Sequence, residues 1–368
     1  MRIAVIIPSL AGGGKERMRL HLIKEWLDHG IAIDLVLCRK QGDLLQLVPS
    51  EVKIYEVAAQ HNYFFPFGFL RYLIKHRPTH ILSASNDITA MSLLINLVTR
   101  LDIPVVASFH NHLSSEVQFA KGLKFFSVKI VNFILAKTIS RAKGVIAVSK
   151  SVADDLIGHF PCLKDNIYTI NNPTINQDMR RRATQPLSGN PVPAGIPWIF
   201  YAGRLVPAKG LDVLLQAFYK IAARSNAHLV LAGEGPLRAQ LTDMVRDMKL
   251  IDRVHFMGFQ ENPLPWMREA DVFVLPSRHE GLPNVLIEAL ACGAQIVATD
   301  CPGGSEEILG NGIYGQLVPV DDAVALSNAV IMSLNREFYV APEILKDRAE
   351  DYTVEKAANE YLNVLKNA

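Results

Sequence analysis

Short apolar runs alternate with longer amphipathic stretches along the whole chain. In the first half the runs are RIAVII, IAIDLVL, HILSAS, PVVASF and GVIAVS, each followed by a helical pattern or a polar turn. In the second half they are WIFYAG, HLVLA, RVHFMGF, DVFVLPS and QIVATD, again with helical segments between them. Apolar runs of this length, bounded by turns and separated by helices, predict parallel strands covered on both faces, and the alternation predicts an α/β fold. At 368 residues the chain fits two such domains. The stretch NNPTINQDMRRRATQPLSGNPVPAGIP is rich in Pro, Asn and Gly and has little apolar periodicity, which predicts a linker over 173–197. The expected domains are therefore 1–172 and 198–351, followed by an amphipathic helix in DYTVEKAANEYLNVLKNA.

Composition adds limits. Apolar residues make up 49% and charged residues 20%, enough for substantial cores. The four cysteines, Cys38, Cys162, Cys292 and Cys301, have no metal-ligand spacing and read as thiols of a reducing compartment. The opening MRIAVIIPSL reads as a first buried strand and lacks the features of a signal peptide, and no run approaches the length of a membrane span. The net charge of +2 conceals an asymmetry. Residues 1–190 carry 23 Lys and Arg against 14 Asp and Glu, a balance of +9; residues 191–368 carry 15 against 22, a balance of −7. A basic first half suggests an anionic partner, a membrane surface before a nucleic acid, because no nucleic-acid-binding motif is present.

The densest chemistry lies in HEGLPNVLIEALACG, His279 to Gly293. Glu280 and Glu288 stand eight apart, which on one continuous helix leaves them about 80° apart. Pro283 sits comfortably only at a helix start, so Glu280 is predicted in a loop and Glu288 on a helix beginning at Pro283. The backbone N–H groups of Asn284, Val285 and Leu286 then point outward with the positive end of the helix dipole, a ready anion site. With a strand on either side, this is a βα unit whose loop lies where ligands of parallel sheets bind.

Other loops offer complementary groups. After the first strand, Gly12, Gly13 and Gly14 lead into a helix running to about Gly30; this is neither a dinucleotide fingerprint nor a P-loop, and it fits either a close backbone approach to a phosphate or sugar or a plain tight turn. Past Gly203, Arg204 and Lys209 flank a loop ahead of Gly210 and a helix, a pair of cations suited to a diphosphate. His110 and His112 follow PVVASF. Behind them Phe119 to Gly144 is basic and apolar, with Lys121, Lys124, Lys129, Lys137, Arg141 and Lys143; it reads either as an interfacial membrane helix or as a partly buried helix with lysine rims.

The run S-x-x-E-G-L-P-N-V-x-x-E-A-L-A-x-G and the pattern G-R-L-x-x-x-K-G closely resemble the signatures of glycosyltransferase family 4, and the resemblance extends over nearly the whole chain. It implies the GT-B fold: two Rossmann-like domains facing across a cleft, with a C-terminal helix (352–368) crossing back to the first through residues such as Tyr361, Leu362 and Leu365. It also implies roles. Arg204 and Lys209 would clamp the donor phosphates, Glu280 would hold the donor sugar, and Glu288 the ribose. His110, by its place at the strand end, would touch the sugar near its 6-position, with His112 the alternative. Gly13 and Gly14 would border the pyrophosphate, with Gly203 and Glu234 nearby on the second domain. Phe259 and Gln260 would meet the base. Gly281, Leu282, Pro283, Asn284, Val285 and Leu286 would line the phosphates.

The expected reaction moves a sugar from a nucleotide diphosphate sugar to a hydroxyl with the anomeric configuration retained. CPGGSEEIL, with Gly303 and Gly304, resembles the loop of UDP-sugar users, so a UDP-sugar comes first and GDP-mannose second. No cofactor or metal is expected, since the two cations and the helix start can meet the departing charge. The expected acceptor is a lipid-linked or growing saccharide of a bacterial surface polysaccharide, reached from the cytoplasmic face of an anionic membrane. The alternatives are a soluble transferase with a small acceptor and a GT-B sugar epimerase.

Overall fold

The structure is a computed structural model that describes all residues except 12–13, 59–64 and 120–121. It divides into two compact units, Met1–Pro173 with Val354–Ala368, and Thr174–Thr353.

The first unit is built on seven parallel strands: β1 (Arg2–Ile7), β2 (Ala32–Leu37), β3 (Lys53–Glu56), β4 (His80–Ser83), β5 (Val105–Phe109), β6 (Gly144–Ala147) and β7 (Ile167–Thr169). Their order across the sheet is β3-β2-β1-β4-β5-β6-β7. The chain winds outward from β1 in one direction and then outward from β4 in the other, so the connections leave a crevice at the carboxyl ends of β1 and β4. The central strands are buried along almost their whole length, which is why they read as unbroken apolar runs. The short edge strands β3 and β7 are half-exposed, with a mixed pattern that gave no comparable signal.

The segment from Phe119 to Gly144 is not one helix. A helix covers Leu113–Phe119, a second covers Leu123–Thr138, and a 3-10 turn covers Ile139–Arg141. Gly122, the cap of the second helix, has φ 57°, a left-handed value that glycine adopts without penalty. Lys121 lies outside the described residues.

The second unit repeats the plan with six parallel strands: β8 (Trp198–Ala202), β9 (His228–Ala232), β10 (Val254–Gly258), β11 (Val272–Leu275), β12 (Ile296–Thr299) and β13 (Gln316–Val318). Their order is β10-β9-β8-β11-β12-β13, with the switch between β8 and β11. The stretch expected as a linker is largely part of this unit. A helix covers Gln177–Ala183, with Asn176 Oδ1 accepting from the Met179 N–H at 2.8 Å as its cap. Arg268 donates to the Ala183 carbonyl and Asn262 to the Arg182 carbonyl, so side chains far along the chain, which periodicity cannot reveal, hold it in place.

The C-terminal helix, Val354–Lys366, belongs to the first unit, as the family resemblance implied. Tyr361, Leu362 and Leu365 are buried in the same core as Trp26, Leu22 and Ile23 of the helix Gly14–Asp28, and Trp26 Nε1 donates to the Ala358 carbonyl at 3.1 Å. Burying each such side chain contributes about 1.5–3 kcal/mol, so Leu365→Asp would detach the helix.

Candidate active site

In the second unit the groups singled out from the sequence converge at the switch between β8 and β11. The loop after β8 ends in a 3-10 turn, Pro207–Lys209, and then Gly210. Gly210 has φ +61°, and a Cβ there would lie 2.0 Å from the Pro276 carbonyl oxygen. Only glycine lets this turn close onto the end of β11. The closure delivers Lys209 to the loop that follows β11: its Nζ donates to Glu280 Oε1, and Ser277 Oγ donates to the same oxygen at 2.6 Å. The Lys209 and Glu280 side chains are 17% and 13% exposed, so the pair is largely withdrawn from water. Beneath it, the Glu280 N–H donates to the Pro302 carbonyl at 3.0 Å, and a Cβ on Gly303 would come within 2.6 Å of the Glu280 carbonyl. The CPGG turn is thus the floor of the Glu280 loop.

Arg278 fixes the same loop and carried no role in the sequence reading. Its Nη1 and Nη2 donate to the two carboxylate oxygens of Asp212 at 3.0 and 2.7 Å, Nε donates to Asp321 Oδ1 at 2.7 Å, and Nη1 also reaches the Pro207 carbonyl at 2.7 Å. Its backbone N–H donates to the Ala208 carbonyl at 2.8 Å. One planar fork therefore ties the Lys209 turn, the Glu280 loop and the start of the helix Ala323–Leu334 together. Burial pushes the Asp212 carboxyl up, but the Arg278 fork outweighs it and the net shift is downward. The arginine and its two aspartates lie 66 and 43 positions apart, and no spacing rule connects them.

The helix behind this loop is Asn284–Cys292, so Pro283 is its cap and not its first residue. The Leu286 N–H is not left over, since it donates to the Pro283 carbonyl at 3.0 Å in a tight first turn. Asn284 and Val285 are half-buried at the helix start, and Gly281 and Leu282 are buried in the loop before it. Glu288 is half-buried in the second turn. Arg204 is exposed, and its carbonyl accepts from the buried Tyr201 hydroxyl at 3.1 Å. Gly203 is half-buried and donates its N–H to the Ala232 carbonyl at 3.0 Å; Glu234 is exposed and 3.8 Å from Arg238. At the carboxyl end of β10, Phe259 is 75% exposed, and Gln260 Nε2 donates to the Met257 carbonyl at 2.9 Å. Among the described residues no group of three or more His, Cys, Asp or Glu side chains is placed to hold a metal.

In the first unit, His110 and His112 separate. His110 is buried at the end of β5, its Nε2 3.0 Å from Arg19 Nη2 and 3.1 Å from Ser108 Oγ. Burial, then Arg19, then Lys15 hold its pKa well below the ordinary imidazole value. His112 Nε2 instead meets Ser151 Oγ at 2.8 Å, beside the helix Lys150–His159. Gly14 opens the helix Gly14–Asp28, while Gly12 and Gly13 lie outside the described residues. A separate cavity of about 430 Å³ sits at the β1/β4 crevice, with Ser9, Arg39, Gln41 and Asp87 as its polar lining and Phe65 and Met91 among its apolar residues.

Two parallel sheets with the 3-2-1-4 winding and a charged crevice at each switch point define a GT-B type of molecule. The comparisons agree with this class. The model of glycosyltransferase family 4 matches residues 12–174, and that of glycosyl transferases group 1 matches residues 196–336. An uncharacterized glycosyltransferase of Methanocaldococcus jannaschii is 30% identical over 277 residues, covering 72% of this chain and 70% of its own. The N-acetylgalactosamine-N,N'-diacetylbacillosaminyl-diphospho-undecaprenol 4-alpha-N-acetylgalactosaminyltransferase of Campylobacter jejuni is 26% identical over 345 residues, 87% of each chain. Among solved structures, Anabaena HepE in complex with UDP and glucose superposes with a TM-score of 0.80 over the full length of both chains at 18% identity. The chain belongs to the family 4 glycosyltransferases, and it is a glycosyltransferase of the GT-B fold.

Proposed function

We propose that the protein transfers a sugar, with retention, from a nucleotide diphosphate sugar to a hydroxyl of a lipid-linked or growing saccharide in the synthesis of a bacterial surface polysaccharide. The observation that carries this reading is the Lys209–Glu280 pair, held at the β8/β11 switch ahead of the helix start at Asn284. A diphosphate leaving group needs positive charge where it departs, and Lys209, the exposed Arg204 and the helix dipole supply it without a metal. Glu280, drawn to Lys209, keeps one carboxylate oxygen for a hydroxyl of the transferred sugar, and Glu288 is assigned to the ribose. Phe259 offers an uncovered ring to the base, and His110 of the first unit a contact to the sugar. A UDP-sugar is the first choice of donor and GDP-mannose the second. Purified protein given the donor and a prenyl diphosphate-linked saccharide is expected to turn over in EDTA. Loss of turnover on chelation, restored by magnesium or manganese, would overturn the metal-independent mechanism.

The acceptor class rests on a second feature. Among the described residues no helix is long and apolar enough to cross a membrane. The helix Leu123–Thr138 nevertheless exposes Phe126, Ile130 and Phe133 at 64%, 61% and 66%. At about 100° per residue these three and Lys137 fall within about 60° of one another, with Lys129 beside them. Aromatic and aliphatic side chains rimmed by lysines suit the interface of an anionic leaflet, where each basic residue adds about 1 kcal/mol. The Campylobacter relative acts, by its name, on a diphospho-undecaprenol-linked sugar, which supports an acceptor presented at the cytoplasmic face of a membrane. The protein is expected to float with anionic vesicles, less so as salt rises, and Phe126→Ser with Phe133→Ser should abolish flotation. Recovery in the soluble fraction with anionic vesicles at low salt would favour a soluble transferase with a small acceptor.

A further inference from the structure

The buried polar cluster around His110 assigns a protonation state. Arg19, on the helix Gly14–Asp28, is 1% exposed, and its Nη2 stands 3.0 Å from His110 Nε2. A guanidinium has N–H donors and no acceptor, and it stays charged. The nitrogen it faces must therefore present a lone pair, and a neutral imidazole with a bare Nε2 carries its proton on Nδ1. Ser108 Oγ, 3.1 Å from the same Nε2, can share that one lone pair as a second, weaker donor while accepting from Tyr361 Oη at 3.0 Å. Nδ1 is buried and has no hydrogen-bond partner among the described residues. Tyr361 belongs to the C-terminal helix, and its ring lies under the guanidinium, 5.3 Å from Arg19 Cζ to the centroid, so the tail of the chain closes the cluster.

We propose that Arg19 is a positioning residue that holds His110 as the neutral tautomer protonated on Nδ1, so that His110 acts as a hydrogen-bond donor and never as a proton carrier. The proposal rests on the reading that His110 contacts the transferred sugar. The titratable and charged groups that face the imidazole are Arg19 and Lys15 from the first helix and, through Ser108, Tyr361 from the last. The amide of Asn111, oriented as its surroundings require, donates to the His110 carbonyl at 2.8 Å and accepts from Lys15 Nζ at 3.0 Å, which brings that second cation close. Protonating Nε2 would set an N–H against an N–H and a buried charge against the buried Arg19, with the exposed Lys15 adding a weaker repulsion. Retention at a sugar needs hydroxyls oriented as well as protons moved, and a fixed Nδ1–H is an orienting group whose strength does not change across the neutral range.

Full-length protein labelled with 15N-histidine tests this without substrate, the His110 signals being identified by their loss in His110→Gln. Long-range 1H–15N spectra are expected to show a protonated Nδ1 and a bare Nε2 that persist from about pH 8 to about pH 5.5. A proton on Nε2, or titration near the ordinary imidazole value of about 6.5, overturns the proposal. Arg19→Met keeps the bulk under Tyr361 and removes the cation. It should bring the His110 midpoint up by at least one pH unit, mix the tautomers, and give kcat an acid limb of about tenfold per pH unit that the parent lacks. Arg19→Lys, a donor-only cation, should restore the parent tautomer. Unchanged spectra and pH profile in a folded Arg19→Met protein also overturn it. Saturating UDP-glucose, UDP-N-acetylglucosamine or GDP-mannose should shift the Nδ1 signal. If none does while the tautomer is as expected, the Arg19 assignment stands and the sugar contact at His110 falls.

Discussion

The two units share a winding, and their candidate sites differ in how they hold charge. At the β8/β11 switch the half-buried cations face carboxylates: Lys209 pairs with Glu280, and Arg278 with Asp212 and Asp321. In the first unit the buried Arg19 is matched with a neutral imidazole and an aromatic face. A site built from ion pairs keeps its geometry over a broad pH range but pins its charges to one another, so a ligand must compete for them. A site built from a cation and a neutral acceptor costs more to bury, and its geometry depends on a protonation state. On the proposed function the difference would suit a division of labour, with the second unit neutralising a leaving diphosphate and the first orienting an uncharged sugar.

The sharpest way to break this comparison is to unpair the second unit. Lys209→Met or Glu280→Gln alone is expected to slow turnover by about 10²-fold or more, because a preorganised group at the departing charge is lost. Lys209→Met should in addition destabilise the unit by about 1.5–3 kcal/mol through the charge left without its partner. The double variant should lose much less than the product of the two, with a coupling of about 0.5–3 kcal/mol in both turnover and unfolding. Strictly additive losses, or unfolding midpoints that do not move, would mean that the pair is incidental to the site.

Next in size is Arg204→Ala. Arg204 is exposed, so its removal should slow turnover by about 10²-fold while leaving the unfolding midpoint within about 0.5 kcal/mol of the parent. This separates a cation that waits for the diphosphate from one that also holds the loop. Near-parental turnover would put the second positive charge elsewhere.

The same contrast governs what could be read in the sequence. The second unit's main groups lie in two local motifs, because strand, turn and helix follow one another there and the ligand groups sit in the turns. Lys209 and Glu280 could each be picked out, but not their meeting, which needs Gly210 to close on the Pro276 carbonyl. Arg278, two places before Glu280, looked like loop surface until Asp212 and Asp321 came beside it. In the first unit even less was local. Arg19, Ser108, His110 and Tyr361 come from the first helix, the fifth strand and the last helix, and a buried arginine on an amphipathic helix is indistinguishable in sequence from an exposed one. The basic segment from Phe119 to Gly144 was legible only in part: it joins the end of one helix to the helix Leu123–Thr138, and the exposed face of Phe126, Ile130 and Phe133 stands out only once that second helix has its own bounds.

The smallest expected effect concerns stability and pH. With the folded-state pKa of His110 held well below that of the unfolded chain, both states are neutral at His110 above about pH 6.5, and burial of the imidazole carries no protonation penalty. As pH falls below that value the unfolded chain takes up a proton that the folded chain refuses, so stability is present above about pH 6.5 and lost below it, by about 1.4 kcal/mol one pH unit down. Asp212, with its pKa lowered, loses its contribution only in the more acid carboxylate range. His228 and His255 of the second unit are also shifted down, chiefly by burial, and give that unit an acid loss of its own. The informative quantity is therefore the difference between the parent and His110→Gln in urea unfolding at about pH 7.5 and about pH 5.5, followed by a probe in the first unit such as Trp26. The parent should lose about 1.4 kcal/mol more than the variant over that interval. Equal losses would show that His110 is protonated in the folded protein, and the contrast between a paired and an unpaired site would not hold.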